Sequence, residues 1–168
     1  MAMARQLWLL RHADAEPHGT RPDSERKLTE RGHRQADVAG VAIARMGIKF
    51  GAILASPKAR ARETAEVALA RMEDSQRELL ELHPLLAGGV QAREALDLLD
   101  GVGAGGPSLL VGHEPDLSGI VGELTGALVD LKKGGLVLVR LGAGGAQLVL
   151  LLRPAELALI AGLALEAI

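Results

Sequence analysis

The sequence predicts an α/β fold of three layers, α/β/α, with a mostly parallel central sheet and an antiparallel hairpin near the C-terminus. Three observations predict it. Short continuous apolar runs, of the kind buried on both faces of a sheet, alternate with longer segments whose apolar residues recur at helical spacing. Two strand-like runs near the end, residues 135–141 and 146–152, are joined by Gly142-Ala143-Gly144-Gly145, a hairpin signal. The length of 168 residues suits one domain, 1–168, with no repeat or linker to divide it.

The elements follow in order. Leu7-Trp8-Leu9-Leu10 is an apolar run closed by a charged pair, Arg11-His12, and reads as a buried strand. Residues 13–27 are too rich in turn formers to make an element. Thr29 caps a helix with Ala36, Ala39, Ile43 and Met46 on one face, and Gly47 stops it. Ala52-Ile53-Leu54-Ala55 is the second strand; Ser56-Pro57 then reads as N-cap and first residue of a helix carrying Ala61, Ala65, Ala68 and Met72. Residues 79–82 suggest a third strand, 91–99 a short helix, 108–111 a buried strand and 115–124 another helix. A last helix starts at Pro154, with Leu157, Ile160, Ala161, Ala164 and Ile168 along one stripe.

Composition narrows the function classes. Hydrophobic residues reach 48%, but there is one Trp, one Phe and no Tyr, so aliphatic side chains must fill the core. The same shortage argues against base-stacking nucleic-acid modules. A net charge of −2 supplies no long-range field for DNA or an anionic membrane, so any anion site must be local. The absence of cysteine removes disulfides, thiolate zinc sites and cysteine nucleophiles, and fits a reducing compartment. The apolar stretch ahead of Arg11 is too short for a signal peptide, and the tail bearing Glu156 and Glu166 too short to span a bilayer. A cytoplasmic protein is expected, with no membrane and no nucleic acid among its partners.

In open α/β sheets, ligands bind beyond the carboxyl ends of the strands. Three of the expected strands end in chemistry: Arg11-His12, Ser56-Pro57 with Arg60 one turn on, and Gly112-His113-Glu114-Pro115. Parallel strands would bring these together on one sheet edge. The helix after Pro57 also opens with Lys58, Arg60 and Arg62, cations where the helix dipole disfavours them and where a bound anion would favour them. An imidazole that is largely unprotonated near neutral pH accepts a phosphoryl group, and guanidinium forks grip its oxygens. No metal or other cofactor is required.

Leu9-Leu10-Arg11-His12-Ala13 resembles the Arg-His signature of the histidine phosphatase superfamily, the phosphoglycerate-mutase-like fold. Ser56-Pro57-Lys58-Ala59-Arg60-Ala61-Arg62-Glu63-Thr64-Ala65 is similar to its Ser-Pro-x-x-Arg-Ala-x-Gln-Thr-Ala segment, with Glu63 for Gln. Val111-Gly112-His113-Glu114-Pro115 resembles its second-histidine segment. Leu28-Thr29-Glu30-Arg31-Gly32, followed by Gln35-Ala36, is similar to its Leu-Thr-x-x-Gly-x-x-Gln-Ala stretch, with Lys27 where Pro is frequent. The compact length and the Arg-His-Ala-x-Ala and Gly-His-Glu-Pro motifs look most like the SixA-type phosphohistidine phosphatases.

The resemblance implies His12 as nucleophile, with Arg11, Arg60 and His113 completing a substrate-binding phosphate pocket and no metal. It implies a phosphohistidine-bearing protein as substrate and a role in signal transduction, with a small phosphomonoester or a non-catalytic phosphate-binding module as alternatives. The mutase-like branch has an Asn soon after its nucleophile and a helical insertion with a catalytic acid; neither is found here. Glu81, Asp14 and Glu16 are the available acids, with none preferred. Lys58 and Arg62 are expected to be solvated. His18, His33 and His83 are expected on the surface or in loops, with His18 able to line the pocket. Residues 101–106 match Gly-x-Gly-x-x-Gly but precede a strand, which makes them a loop and not a dinucleotide site.

Overall fold

The computed structural model describes residues 4–102, 105–164 and 168. Its strands are β1 (Arg5–Arg11), β2 (Ala52–Ala55), β3 (Leu80–Leu82), β4 (Ser108–Gly112), β5 (Leu136–Gly142) and β6 (Gly145–Leu152). They form one sheet in the order β3-β2-β4-β1-β5-β6. The first four in that order run parallel; β5 is antiparallel to β1, and β6 to β5. The helices are α1 (Glu30–Arg45), α2 (Ala59–Leu69), α3 (Asp74–Arg77), α4 (Ala92–Gly101), α5 (Asp116–Thr125) and α6 (Pro154–Ala161).

Strand alternation sorts the core into two halves. Trp8, Leu10, Ile53, Ala55, Leu109, Val111, Leu136 and Leu138 face α1, α2 and α6. Leu7, Leu9, Leu54, Leu110, Val137 and Val139 face α4 and α5. Aliphatic residues dominate both halves; Trp8 and Phe50 are the buried aromatics, in the first. This is the expected three-layer arrangement, with the hairpin closing one side of the sheet. At the hairpin, Gly142 pairs with Gly145, which sits at φ +113° where a Cβ would be strained.

The structure moves several element boundaries. Ser56 does not cap α2: its Oγ accepts the Lys58 N–H at 3.2 Å in a local turn, and Lys58 becomes the N-cap. Helix α2 stops at Leu69, so Met72 packs against the same core from outside it. Gly162, left-handed at φ +71°, ends α6, which leaves Ala164 and Ile168 beyond the helix. The polar stretch 13–27 holds a 3-10 turn, Asp23–Glu25, and an Ala15–Leu28 bridge. Gly101 belongs to α4, while residues 103–104 of the expected loop, and Glu166, lie outside the described residues.

Candidate active site

Register brings the two histidines together. In the parallel β1–β4 pair, Arg11 lies opposite Gly112. One residue further, the His12 N–H donates to the Gly112 carbonyl at 2.9 Å, and the His12 and His113 ring centroids stand 5.2 Å apart. On the other side of β4, the Ser56 N–H donates to the Val111 carbonyl, and Ser56 Oγ lies 2.7 Å from His113 Nε2. His12, Arg60 and His113 are all buried. The three strand ends do meet at one sheet edge.

Hydrogen-bond chemistry then assigns the ring nitrogens of His12. His12 Nδ1 is 2.8 Å from the Ala13 carbonyl. A carbonyl only accepts, so Nδ1 carries the proton and Nε2 keeps the lone pair. Ser56 Oγ already accepts from the Lys58 amide, so its own O–H is available to His113 Nε2. The hydroxyl has a second lone pair as well, so this contact holds the ring with its proton on either nitrogen.

The guanidiniums are held from behind. Arg11 Nη1 donates to the Leu131 carbonyl at 2.8 Å. Arg60 Nη1 donates to the Asp23 carbonyl at 2.7 Å, and its Nη2 to Asp23 Oδ2 at 3.2 Å. Arg11 Nε, Arg60 Nε and His113 Nδ1 are shielded from water and have no partner among the described residues. Leaving a donor unsatisfied in this way costs about 1–3 kcal/mol. Two guanidiniums and an imidazole with unused polar atoms, gathered at one sheet edge, suit the oxygens of an anion.

The loop that carries His12 is anchored from two helices. The Ala13 N–H donates to Thr64 Oγ1 at 3.0 Å, and the Thr64 hydroxyl donates back to the Arg60 carbonyl at 2.6 Å. The Asp14 N–H donates to Gln35 Oε1 at 2.9 Å, and the Thr29 hydroxyl to Asp14 Oδ2 at 2.8 Å. A Cβ on Gly32 would stand 1.9 Å from the Asp14 carbonyl oxygen, so only glycine lets α1 approach this loop. Glu63 accepts the Leu28 N–H at 2.8 Å. The Leu-Thr-x-x-Gly-x-x-Gln and Arg-Ala-x-x-Thr segments are thus supports for the nucleophile loop as well as parts of helices.

Burial holds the His12 pKa down to about 4, helped by Arg60, Arg11 and Lys133 and opposed by the Ala13 hydrogen bond. His113 is held to about 3, first by burial and then by His12, Arg60 and Lys58. Both rings are therefore neutral at pH 7: His12 has its Nε2 lone pair free, while an arriving anion that raises the His113 pKa would turn that ring into a charged donor. An NMR titration of the imidazoles should place these two midpoints near pH 4 and pH 3 instead of 6.5. Added tungstate or phosphate should raise the His113 midpoint. Either ring titrating near 6.5 would contradict the buried, cation-flanked environment.

The remaining expectations divide. Lys58 is not simply solvated: its Nζ is 3.0 Å from Asp23 Oδ2. Arg62 stays at the surface beside Glu66. His33 is exposed, His83 accepts the Leu85 N–H, and His18 is 85% exposed and 3.8 Å from Asp23. Of the three possible acids, Glu81 is exposed on the edge strand β3, Asp14 is paired with Lys133, and Glu16 with Arg21.

Asp23 escaped the sequence reading. Its carboxylate takes Lys58, Arg26 and Arg60 together, and this holds its pKa well below the usual carboxylate value. The cation-rich start of α2 was the available signal, since such a cluster calls for a counter-anion. Among the described residues, no group of three His, Cys, Asp or Glu side chains is placed to hold a metal ion. No described helix is long and apolar enough to cross a membrane.

A family model, histidine phosphatase superfamily (branch 1), matches residues 7–113, more than half of the chain. An uncharacterized protein of Picosynechococcus is 31% identical over 153 residues, 84% of this chain and 88% of that protein. The structure of a putative phosphohistidine phosphatase SixA from Nakamurella multipartitia is 28% identical. It superposes with a TM-score of 0.74 over 91% of this chain and 98% of that one. A protein histidine phosphatase SixA complexed with tungstate, 22% identical, gives a TM-score of 0.77 over 90% and 99% of the two chains, which speaks to the fold.

Proposed function

The chain belongs to the histidine phosphatase superfamily, and from that premise we propose that it is a phosphatase that takes phosphate onto His12, its physiological substrate being phosphohistidine on a protein. The observation that carries the reading is the buried His12 ring, tethered through Nδ1 and set among Arg11, Arg60 and His113. His12 Nε2 attacks phosphorus as the bond to the leaving group breaks, and the transferring group's charge spreads onto oxygens facing the two guanidiniums and His113. Water then attacks the phosphorus on His12, the N–P bond breaks, and inorganic phosphate leaves. Protein cations supply the positive charge, so the reaction needs no metal.

The leaving group favours phosphohistidine. Glu81 is exposed on an edge strand, and Asp14 and Glu16 are held in ion pairs. A substrate imidazole protonated on its distal nitrogen departs neutral, whereas an alkoxide needs a proton delivered. The SixA likeness supports the same substrate, and the cytoplasm, with a part in signal transduction, is the setting we infer for it. Comparison of kcat/KM on a phosphohistidine peptide, p-nitrophenyl phosphate and an alkyl phosphomonoester tests the reading. The order should be phosphohistidine, then aryl, then alkyl phosphate, unchanged by EDTA. Alkyl phosphate turned over as fast as phosphohistidine would make the protein a small-phosphomonoester phosphatase instead.

A further inference from the structure

Next to the phosphate pocket, and sharing Arg11 with it, lies an open cleft of about 590 Å³. Its charged side chains are Arg11, Arg31, Lys132, Lys133 and Arg153 against one side-chain carboxylate, Asp14. The chain as a whole is slightly acidic, so this concentration of positive charge is local. Two of the cations stand where helix dipoles oppose them: Arg31 in the first turn of α1 and Arg153 at the N-cap of α6. Arg31 forms no ion pair among the described residues. Lys132, Lys133 and Arg153 are half exposed and pair with Asp130, Asp14 and Glu156. Pro154, Ala155 and Ile168 add apolar surface to the same cleft.

We propose that this cleft is the docking groove for an acidic segment flanking the phosphohistidine of the substrate protein. The proposal rests on the phosphohistidine reading of the site. Charge complementarity selects carboxylates, and the form of the cleft selects a polypeptide. The cations come from four separate stretches of chain and share an open surface with Pro154, Ala155 and Ile168. That suits several spaced carboxylates on one segment better than one compact polyphosphate, which needs donors converging on a point. Arg11 joins the two regions, so a segment lying in the cleft delivers its phosphorylated side chain to His12.

The test uses two phosphohistidine peptides of equal length, one flanked by Asp and Glu and the other by Asn and Gln, together with p-nitrophenyl phosphate. The full-length protein should prefer the acidic peptide by about tenfold in kcat/KM, mainly through KM, with the preference shrinking as salt rises. The variant R31E/K132E should lose that preference and keep its turnover of p-nitrophenyl phosphate. Equal rates on the two peptides, or a preference that survives in R31E/K132E, would overturn the docking groove while leaving the phosphatase intact. Preference for a bisphosphorylated small molecule over both peptides would make the cleft a small-anion subsite and overturn it too. Failure on both peptides with p-nitrophenyl phosphate still turned over would instead sink the phosphohistidine reading, and the groove with it.

Discussion

His12→Ala should abolish turnover of every phosphorylated substrate and remove the acid-labile label that labelled substrate leaves on the protein. The loss should reach the background of the assay, because the variant lacks the atom that accepts phosphorus. The structure makes this a chemical loss and not a folding one. The His12 ring contributes one hydrogen bond, to the carbonyl of the next residue, and the main chain around it is held by Gly112, Thr64 and Gln35. At pH 7 the neutral ring carries almost no protonation penalty, so its removal costs some packing and one hydrogen bond; the variant should unfold at a modestly lower temperature and still be folded under assay conditions. Rapid quench with labelled substrate reads the label directly; label retained in His12→Ala would place the nucleophile elsewhere.

His113→Ala gives a useful contrast, since that ring is a donor in this scheme. It should slow the label's formation without preventing it. Its Nδ1 is shielded and has no partner among the described residues, so removing the ring takes one contact from the transferring group and leaves His12 Nε2 in place.

The fold was legible because its signals are local. Apolar runs of four or five residues ending in Arg11-His12, Ala55-Ser56 and Gly112-His113 mark buried strands, and the crossover helices between them force those strands parallel. Once they are parallel, their carboxyl ends share an edge, so Arg11, His12, Arg60 and His113 could be placed together before any distance was known. The misreadings have physical causes. Ser56-Pro57 has the sequence of an N-cap, but the hydroxyl also has a buried imidazole within reach, and that partner prevails. Helical spacing carried the last helix past Gly162, whose left-handed backbone ends it. Asp23 lies in a stretch without periodicity, and its importance comes from cations on α2 that approach it only in the folded chain.

Arg60→Ala should lower kcat by roughly 10²–10³, the scale found when a preorganised donor to a transition-state charge is removed. Arg60 is 5% exposed, and both of its terminal nitrogens are committed to Asp23. The guanidinium is therefore fixed before substrate arrives, and each terminal nitrogen keeps a second N–H beyond the one given to Asp23. Arg60→Lys should not restore the rate, because a single ammonium nitrogen cannot reproduce the planar fork that holds Asp23 with two separate nitrogens and keeps further N–H bonds for the phosphate. The fold should tolerate either change, since Asp23 keeps Lys58 at 3.0 Å and Arg26 at 2.9 Å as counter-ions. Asp23→Asn is the graded form of the same experiment. The main-chain carbonyl at residue 23 would still accept Arg60 Nη1, but the charge that orients Nη2 would be gone, so a loss of about tenfold in kcat is expected. Stopped-flow measurement of the labelling step would separate the cases: Arg60→Ala and Asp23→Asn should both slow transfer to His12 in that rank order. An Asp23→Asn protein as slow as Arg60→Ala would mean that the carboxylate holds the pocket together as a whole and does more than orient one guanidinium.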